Sequence, residues 1–166
     1  MITYFKLDKM EFKSVNKVFE AAFKKNWVRP AISNYQGETL CFRDLARRME
    51  KLHIMFEECG LEKGNKVAIC SRNQANWAVS FLATMTYGAV PVPLLHEFKS
   101  ANIHHLVNHS EAKILFVDEV IWEGLSESEM PEVQAIIQVN TFKILYAVDP
   151  KIYEAKEHLN ELFGKK

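Results

Sequence analysis

A chain of 166 residues is long enough to bury roughly 70% of its unfolded surface around one core, with no disulfide or metal staple required. Its 48% hydrophobic and 25% charged residues, with 6 Gly and 5 Pro, exclude disordered, collagen-like and low-complexity chains. Lys plus Arg and Asp plus Glu each number 21, so no global positive field recruits nucleic acid, and a charge-driven partner must meet a local patch.

Cys41, Cys59 and Cys70 are an odd number of cysteines at wide spacing with no CxxC, which argues against a disulfide framework and a zinc site and fits a reducing, cytoplasmic setting. The N-terminal MITYFKLDKMEFK has scattered charges and no apolar core, unlike a secretory signal. The uncharged stretch from Asn73 to His96 is long enough to span a bilayer, but Gly88, Pro91 and Pro93 interrupt it. A buried helix followed by a strand explains it better.

In chain order, Ser14 is placed to cap an amphipathic helix whose stripe is Val15, Val18, Phe19, Ala22 and Phe23. Such a stripe is expected to pack on the protein's own sheet. Up to Arg29, seven basic residues face Asp8, Glu11 and Glu20, a local net charge of +4, so peripheral membrane contact is the competing reading of that helix. Ala31 to Tyr35 and Glu38 to Cys41 flank Gln36-Gly37, which predicts a short hairpin with Gly37 at the positive φ. The steps Phe42, Leu45, Met49, Leu52, Phe56 and Cys59 predict a long helix with an Asp44 to Arg48 pair on its outer face and a stop at Gly60. Lys66 to Cys70 reads as a central parallel strand. Asn73 is the expected cap of a helix to Tyr87 closed by Gly88, and Ala89 to Val92 is a strand whose prolines mark its end or an edge. Ser100 is expected to cap a helix to His109. Lys113 to Val117 is a strand, Glu119 to Leu125 a short helix, Val133 to Val139 and Phe142 to Val148 two further apolar runs, and Pro150 opens a last helix near Leu162 that ends at Gly164. The expected fold is α/β: a mainly parallel, doubly wound, Rossmann-like sheet covered by helices, with a short N-terminal β-hairpin, in a single domain over residues 1–166.

Chemistry is harder to find. His105 and His109 are spaced i,i+4 beside His104 and could chelate a metal from one helix face, but the zincin pattern needs Glu after the first histidine and Leu106 stands there. Surface histidines explain the group more simply. Gly60 to Lys66 lacks both the glycine spacing and the following Ser or Thr of a phosphate loop, and the six glycines are dispersed. Asp118 to Glu132 carries six acidic and no basic residues, which reads as a solvated face before it reads as a cationic-partner surface. Ser71 sits in no nucleophile elbow and no cysteine has a Cys-His-Asn arrangement. No residue is assigned a catalytic, cofactor-binding or metal-binding role.

The order of landmarks is distinctive. Arg29-Pro30-Ala31-Ile32, Thr39 to Leu45 (TLCFRDL), Gly60 to Ile69 (GLEKGNKVAI), Asn73 to Trp77 (NQANW), Tyr87 to Leu94 (YGAVPVPL) and His109 to Phe116 (HSEAKILF) follow one another at spacings that resemble the N-terminal part of AMP-forming acyl-CoA synthetases, members of the adenylate-forming enzymes. The resemblance covers about residues 15–148. In that family the long helix opens with Thr or Ser, an aromatic, any residue, an acid and Leu, a capping box. Here Cys41 takes the hydroxyl's place, which predicts a weaker cap.

The resemblance implies a parent enzyme that joins a carboxylic acid to ATP, with Mg2+, as acyl-AMP and then transfers the acyl group to CoA. The segment Leu94-Leu95-His96-Glu97-Phe98 most resembles the long-chain fatty acid branch. The family's Ser/Thr/Gly-rich phosphate loop ending Pro-Lys-Gly, its later adenylate motifs and its C-terminal lysine have no counterpart in these residues. The expectation is therefore a scaffold subdomain, a fragment or truncated product that is inactive alone and whose partner is the remainder of that enzyme. An apolar face bared by truncation would promote self-association. The competing reading is a self-contained small-ligand-binding or protein-interaction module on the same scaffold.

Overall fold

A computed structural model of the chain describes residues 14–157, Leu159 and Phe163. Helix α1 (Val15–Asn26) starts at Ser14, whose hydroxyl accepts the Lys17 amide at 3.4 Å. A small antiparallel hairpin follows, β1 (Pro30–Ser33) with β2 (Thr39–Cys41). Its turn departs from expectation: the positive φ of 52° falls on Gln36, while a side chain at Gly37 would crowd Asn34, its Cβ falling 3.1 Å from the Asn34 Cβ. Helix α2 (Phe42–Glu58) runs from the hairpin to Gly60, whose φ of 66° ends it as predicted. The stripe of α1, expected on the sheet, packs chiefly on α2, with the Phe23 ring edge-on to Phe42 at 5.5 Å.

The main sheet has the order β4-β3-β5-β6-β7. Strands β3 (Lys66–Cys70), β4 (Val90–Leu94), β5 (Ala112–Val117) and β6 (Ala135–Gln138) are parallel, and β7 (Ile144–Ala147) closes one edge antiparallel to β6. Between them lie α3 (Ala75–Tyr87), α4 (Ser100–His109), α5 (Glu119–Trp122) and a 3-10 turn (Glu127–Glu129). Helix α6 (Lys151–Glu157) follows β7, and the predicted stop at Gly164 lies outside the described residues.

Strand alternation separates two cores. Val67, Ile69, Ile114, Phe116 and Ile137 face α2, α3 and α6, where Phe56 is wholly buried. Ala68, Cys70, Leu115, Val117 and Ile136 face the side of α4 and α5, with Ile103 and Val107 packed on them. Helices on both faces of a mostly parallel sheet are the doubly wound arrangement that the alternating elements predict. Among the described residues no helix is long and apolar enough to cross a membrane.

Two predicted caps move. Ser100 is the first residue inside α4, with Lys99 at the cap position and no side-chain cap bond. At α3 the cap position is Gln74 rather than Asn73, and its side chain makes no cap bond either. The bond comes from the hairpin, where Asn34 Oδ1 accepts the Ala75 amide at 2.7 Å. Gly88, in the left-handed region at φ 96°, ends α3 as predicted. The buried face of this uncharged helix is made of small residues, Val79, Ser80, Ala83 and Thr84, so Trp77 and Phe81 are half-buried at its margin. Their rings stack at 5.4 Å.

Candidate functional site

The polar residues that leave the carboxyl ends of the strands converge on one side of the sheet. Ser71, Arg72 and Gln74 follow β3; Asp118 and Glu119 follow β5; Asn140 and Thr141 follow β6; His96 follows β4. The chain leaves β3 toward α3 on one face and β5 toward α5 on the other, so the loops part between these strands. Crevices in doubly wound sheets form at such a switch point. Here it measures 560 Å³ and is lined by Arg72, Gln74, His96, Asp118 and Asn140, among others. Gln74 and Asn140 also line an adjoining 300 Å³ cavity walled by Asn34 and Glu38 of the hairpin.

Hydrogen bonds fix the floor. Asp118 accepts the Arg72 amide at 2.9 Å and the Gln74 side-chain amide at 3.1 Å, which ties β5 to β3. Gln138 donates to Glu119 at 3.0 Å and accepts from Thr141 at 2.6 Å. In the adjoining cavity Arg48 reaches across from α2, donating to Glu38 and to Asn76 Oδ1, both at 2.7 Å. Asn76, itself buried, donates to the Asn140 carbonyl at 2.8 Å. The expected Asp44 to Arg48 pair does not form, because Glu38 takes Arg48 while Asp44 turns back to its own helix start. There Asp44 Oδ2 accepts the Cys41 amide at 3.2 Å and the Cys41 thiol at 2.6 Å. The thiol and then the amide hold the Asp44 carboxyl below its ordinary pKa.

The chemistry open to this surface is polar recognition. Ser71 Oγ donates to the Arg72 carbonyl at 2.8 Å and so is not poised as a nucleophile. The Cys70 thiol beneath it is pushed up to about 11, first by burial and then by the Asp118 charge. Burial, with Glu58 nearby, pushes Cys59 up to about 12.

The candidates singled out from the sequence lie elsewhere or divide. His104 accepts the Ser126 amide at 3.1 Å, while the His105 and His109 rings stack at 5.9 Å on the outer face of α4. Among the described residues no group of three or more His, Cys, Asp or Glu side chains could hold a metal ion. The Gly60 to Lys66 loop lies at the opposite end of β3, where the Gly64 amide donates to the Gly88 carbonyl at 2.9 Å in a turn. Of the acidic stretch, Asp118 and Glu119 belong to the crevice and Glu132 pairs with Lys113 at 2.6 Å. The convergence of strand-end residues was open to reading in the sequence, since Ser71-Arg72, Asp118-Glu119 and Asn140-Thr141 each close an apolar run. The Asn34 cap and the Arg48 bridge carry no such signal.

A family model described as AMP-binding enzyme matches residues 19–162. The chain belongs to the AMP-binding enzyme family. It is 24% identical over 109 residues to surfactin synthase subunit 2 of Bacillus subtilis, covering 66% of this chain and 3% of that protein. It is 29% identical over 79 residues to fatty acyl-CoA synthetase A of Dictyostelium discoideum, covering 48% of this chain and 12% of that protein. Among solved structures, a long-chain-fatty-acid-CoA ligase of Archaeoglobus fulgidus superposes with a TM-score of 0.68 at 22% identity, over 87% of this chain and 29% of that one. The N-terminal subdomain of Klebsiella oxytoca NpsA, in complex with 3-hydroxybenzoyl-AMSN, gives 0.65 at 22% identity, over 78% and 31%. The chain thus spans less than a third of each of these proteins, and the structural likeness at such identity speaks for the fold. An α/β subdomain of the adenylate-forming kind is what sequence and architecture share.

Proposed function

We propose that this chain is the scaffold subdomain of an acid:CoA ligase that activates a fatty acid as acyl-AMP and then forms acyl-CoA. The match of residues 19–162 to the AMP-binding family carries the adenylate-forming part of the reading. The fatty acid part is supported by the likeness to the Dictyostelium fatty acyl-CoA synthetase. The likeness to a surfactin synthase subunit supports a second reading, in which the parent is a nonribosomal peptide synthetase. A self-contained binding module on this scaffold is the third, and the polar crevice at the switch point is what favours it.

The described residues do not fit a magnesium-bound triphosphate. The first amide of α3, at the strand ends where a doubly wound fold seats phosphate, is occupied by Asn34. Asp118 and Glu119, the carboxylates nearest the crevice, are both engaged by neighbouring amides. No step of adenylation is therefore assigned to these residues, and their role is to hold the sheet, the crevice and the α3 surface in place.

Acid-dependent exchange of pyrophosphate into ATP tests the readings, using palmitate, benzoate and a panel of amino acids. The assay is run on the 166-residue chain and on the longest polypeptide its reading frame encodes. The proposal expects no exchange from the chain and palmitate-dependent exchange wherever a longer polypeptide exists. Exchange by the chain itself overturns the scaffold role. Exchange driven by amino acids alone selects the peptide synthetase reading.

A further inference from the structure

The outer edge of the main sheet at β4 carries an unusual pair of residues. In a parallel strand the amides of successive residues point alternately to the two sides. The Val90 amide donates inward to the Asn65 carbonyl at 2.8 Å, on the β3 side. With Val67 opposite Pro91 and Ile69 opposite Pro93, the alternation turns the amides of residues 90, 92 and 94 toward β3 and leaves positions 91 and 93 facing outward. Both outward positions are proline, which has no N–H. The edge is reachable: Val90 is 47% exposed and Pro93 is exposed. Strand β4 therefore keeps every donor it needs for β3 and offers none to a newcomer.

We propose that Pro91 and Pro93 close this edge against strand addition, and that the strand they exclude is β4 of a second copy of the chain. Two such edges related by a two-fold axis would run antiparallel and pair through their outward positions. Without donors on either side, that ladder cannot form. Association on this flank must then use side chains on the sheet faces and on α3, not the backbone. The prolines leave the inward ladder to β3 intact, so the seal does not weaken the fold it protects.

Amide hydrogen exchange on the Pro91→Ala and Pro93→Ala single variants reads the geometry directly. In dilute, monomeric samples the new amides at 91 and 93 should exchange at least roughly a hundredfold faster than their neighbours at 90 and 92. Protection of the new amides equal to that of Val90 and Val92 in a monomer would mean that they face β3, and the proposal fails. The Pro91→Thr/Pro93→Thr double variant, followed by sedimentation velocity, tests the consequence. The expected result is a dimer at concentrations at least roughly tenfold below any association of the parent chain, with residues 91 and 93 becoming protected as it forms. A folded double variant that associates no more than the parent overturns the gatekeeping role. Should the double variant not fold, the same comparison is made with Pro93→Thr alone, whose outward position is the more exposed.

Discussion

Asn34 and Ala75 lie 41 residues apart, yet the Asn34 side-chain carbonyl accepts the Ala75 amide at 2.7 Å and serves as the cap that α3 does not provide for itself. The reason is competition. Gln74, at the cap position, sends its side chain to Asp118 on the neighbouring strand end and to Ser71. The hairpin tip is thereby pinned to the start of the central helix, beside the crevice.

Asn34→Ala should destabilise the fold by about 1 kcal/mol, the usual worth of a side-chain cap. Asn34→Asp keeps an acceptor and places its charge at a helix N-terminus, so it should hold or slightly raise stability. Urea unfolding of the two variants and the parent checks the pair. Equal losses for both would show that packing at the tip, not the acceptor, supplies the energy.

The second cap, at Cys41, is weak in a different way. Asp44 performs the acid half of the capping box, but sulfur is a poor acceptor for the opposite half, and the thiol points its own proton at Asp44. Cys41→Thr supplies an oxygen and should stabilise by a few tenths to about 1 kcal/mol. Asp44 also has a signature in pH. Its folded pKa is depressed by the two bonds from Cys41, so its contribution is present above the unfolded value and fades as pH falls below about 4. Asp44→Asn should therefore lose less stability than the parent between pH 5 and pH 3, read from urea midpoints at each pH.

The periodic parts of the fold were legible because each element buries one face. The 3-4 steps of α2 and the apolar run of β3 appear where expected, within a residue or two. Local rules failed where a distant residue outbid a near one. Asp44 and Arg48 have the spacing of an exposed pair, but Glu38 and Asn76 reach Arg48 from other elements. Asn73 and Ser100 are good capping residues one step away from where the helices begin, and α3 takes its cap from the hairpin. The uncharged character of α3 gives a packed helix whose fully buried face is built of small residues, while Trp77, Phe81 and Tyr87 are partly buried against the same core. Family resemblance reached the adenylate-forming fold through motif order. Each strand end of the crevice closes an apolar run in the sequence, but which ends meet is set by the strand order, which no local pattern encodes.

Arg48 offers a test of the bridge. Arg48→Ala leaves the buried Asn76 Oδ1 without its donor, a cost of about 1–3 kcal/mol, whereas Asn76 and Glu38 keep part of the contact in Arg48→Lys. Thermal melts should order the proteins parent, lysine variant, alanine variant. An alanine variant as stable as the parent would show that water replaces the guanidinium at no cost.

The three thiols should react in a set order. Cys41 is half-exposed, whereas Cys59 and Cys70 are buried and their pKa values stand at about 12 and about 11. Only thiolate attacks a disulfide reagent, so at pH 8 the folded protein should release one equivalent quickly and the remaining two only on unfolding. Two fast equivalents would place a second cysteine at the surface and contradict the packing of β3 or of the α2 end.

Trp77 separates scaffold from ligand site. One face of its indole stacks on Phe81 at 5.4 Å, and the helix's buried face lies to the side of both rings. A fully buried aromatic such as Phe56 should cost about 3–5 kcal/mol when cut to alanine. Half burial and one ring pair put Trp77→Ala near 2 kcal/mol. If Trp77 instead stacked on a nucleotide base, the variant would melt like the parent and lose affinity for ATP. Parallel melts of Phe56→Ala and Trp77→Ala, with ATP titrations followed by the fluorescence of the other tryptophans, distinguish the outcomes. The packing argument requires the Trp77 variant to lose stability, but less of it than the Phe56 variant, with its response to ATP the same as the parent's.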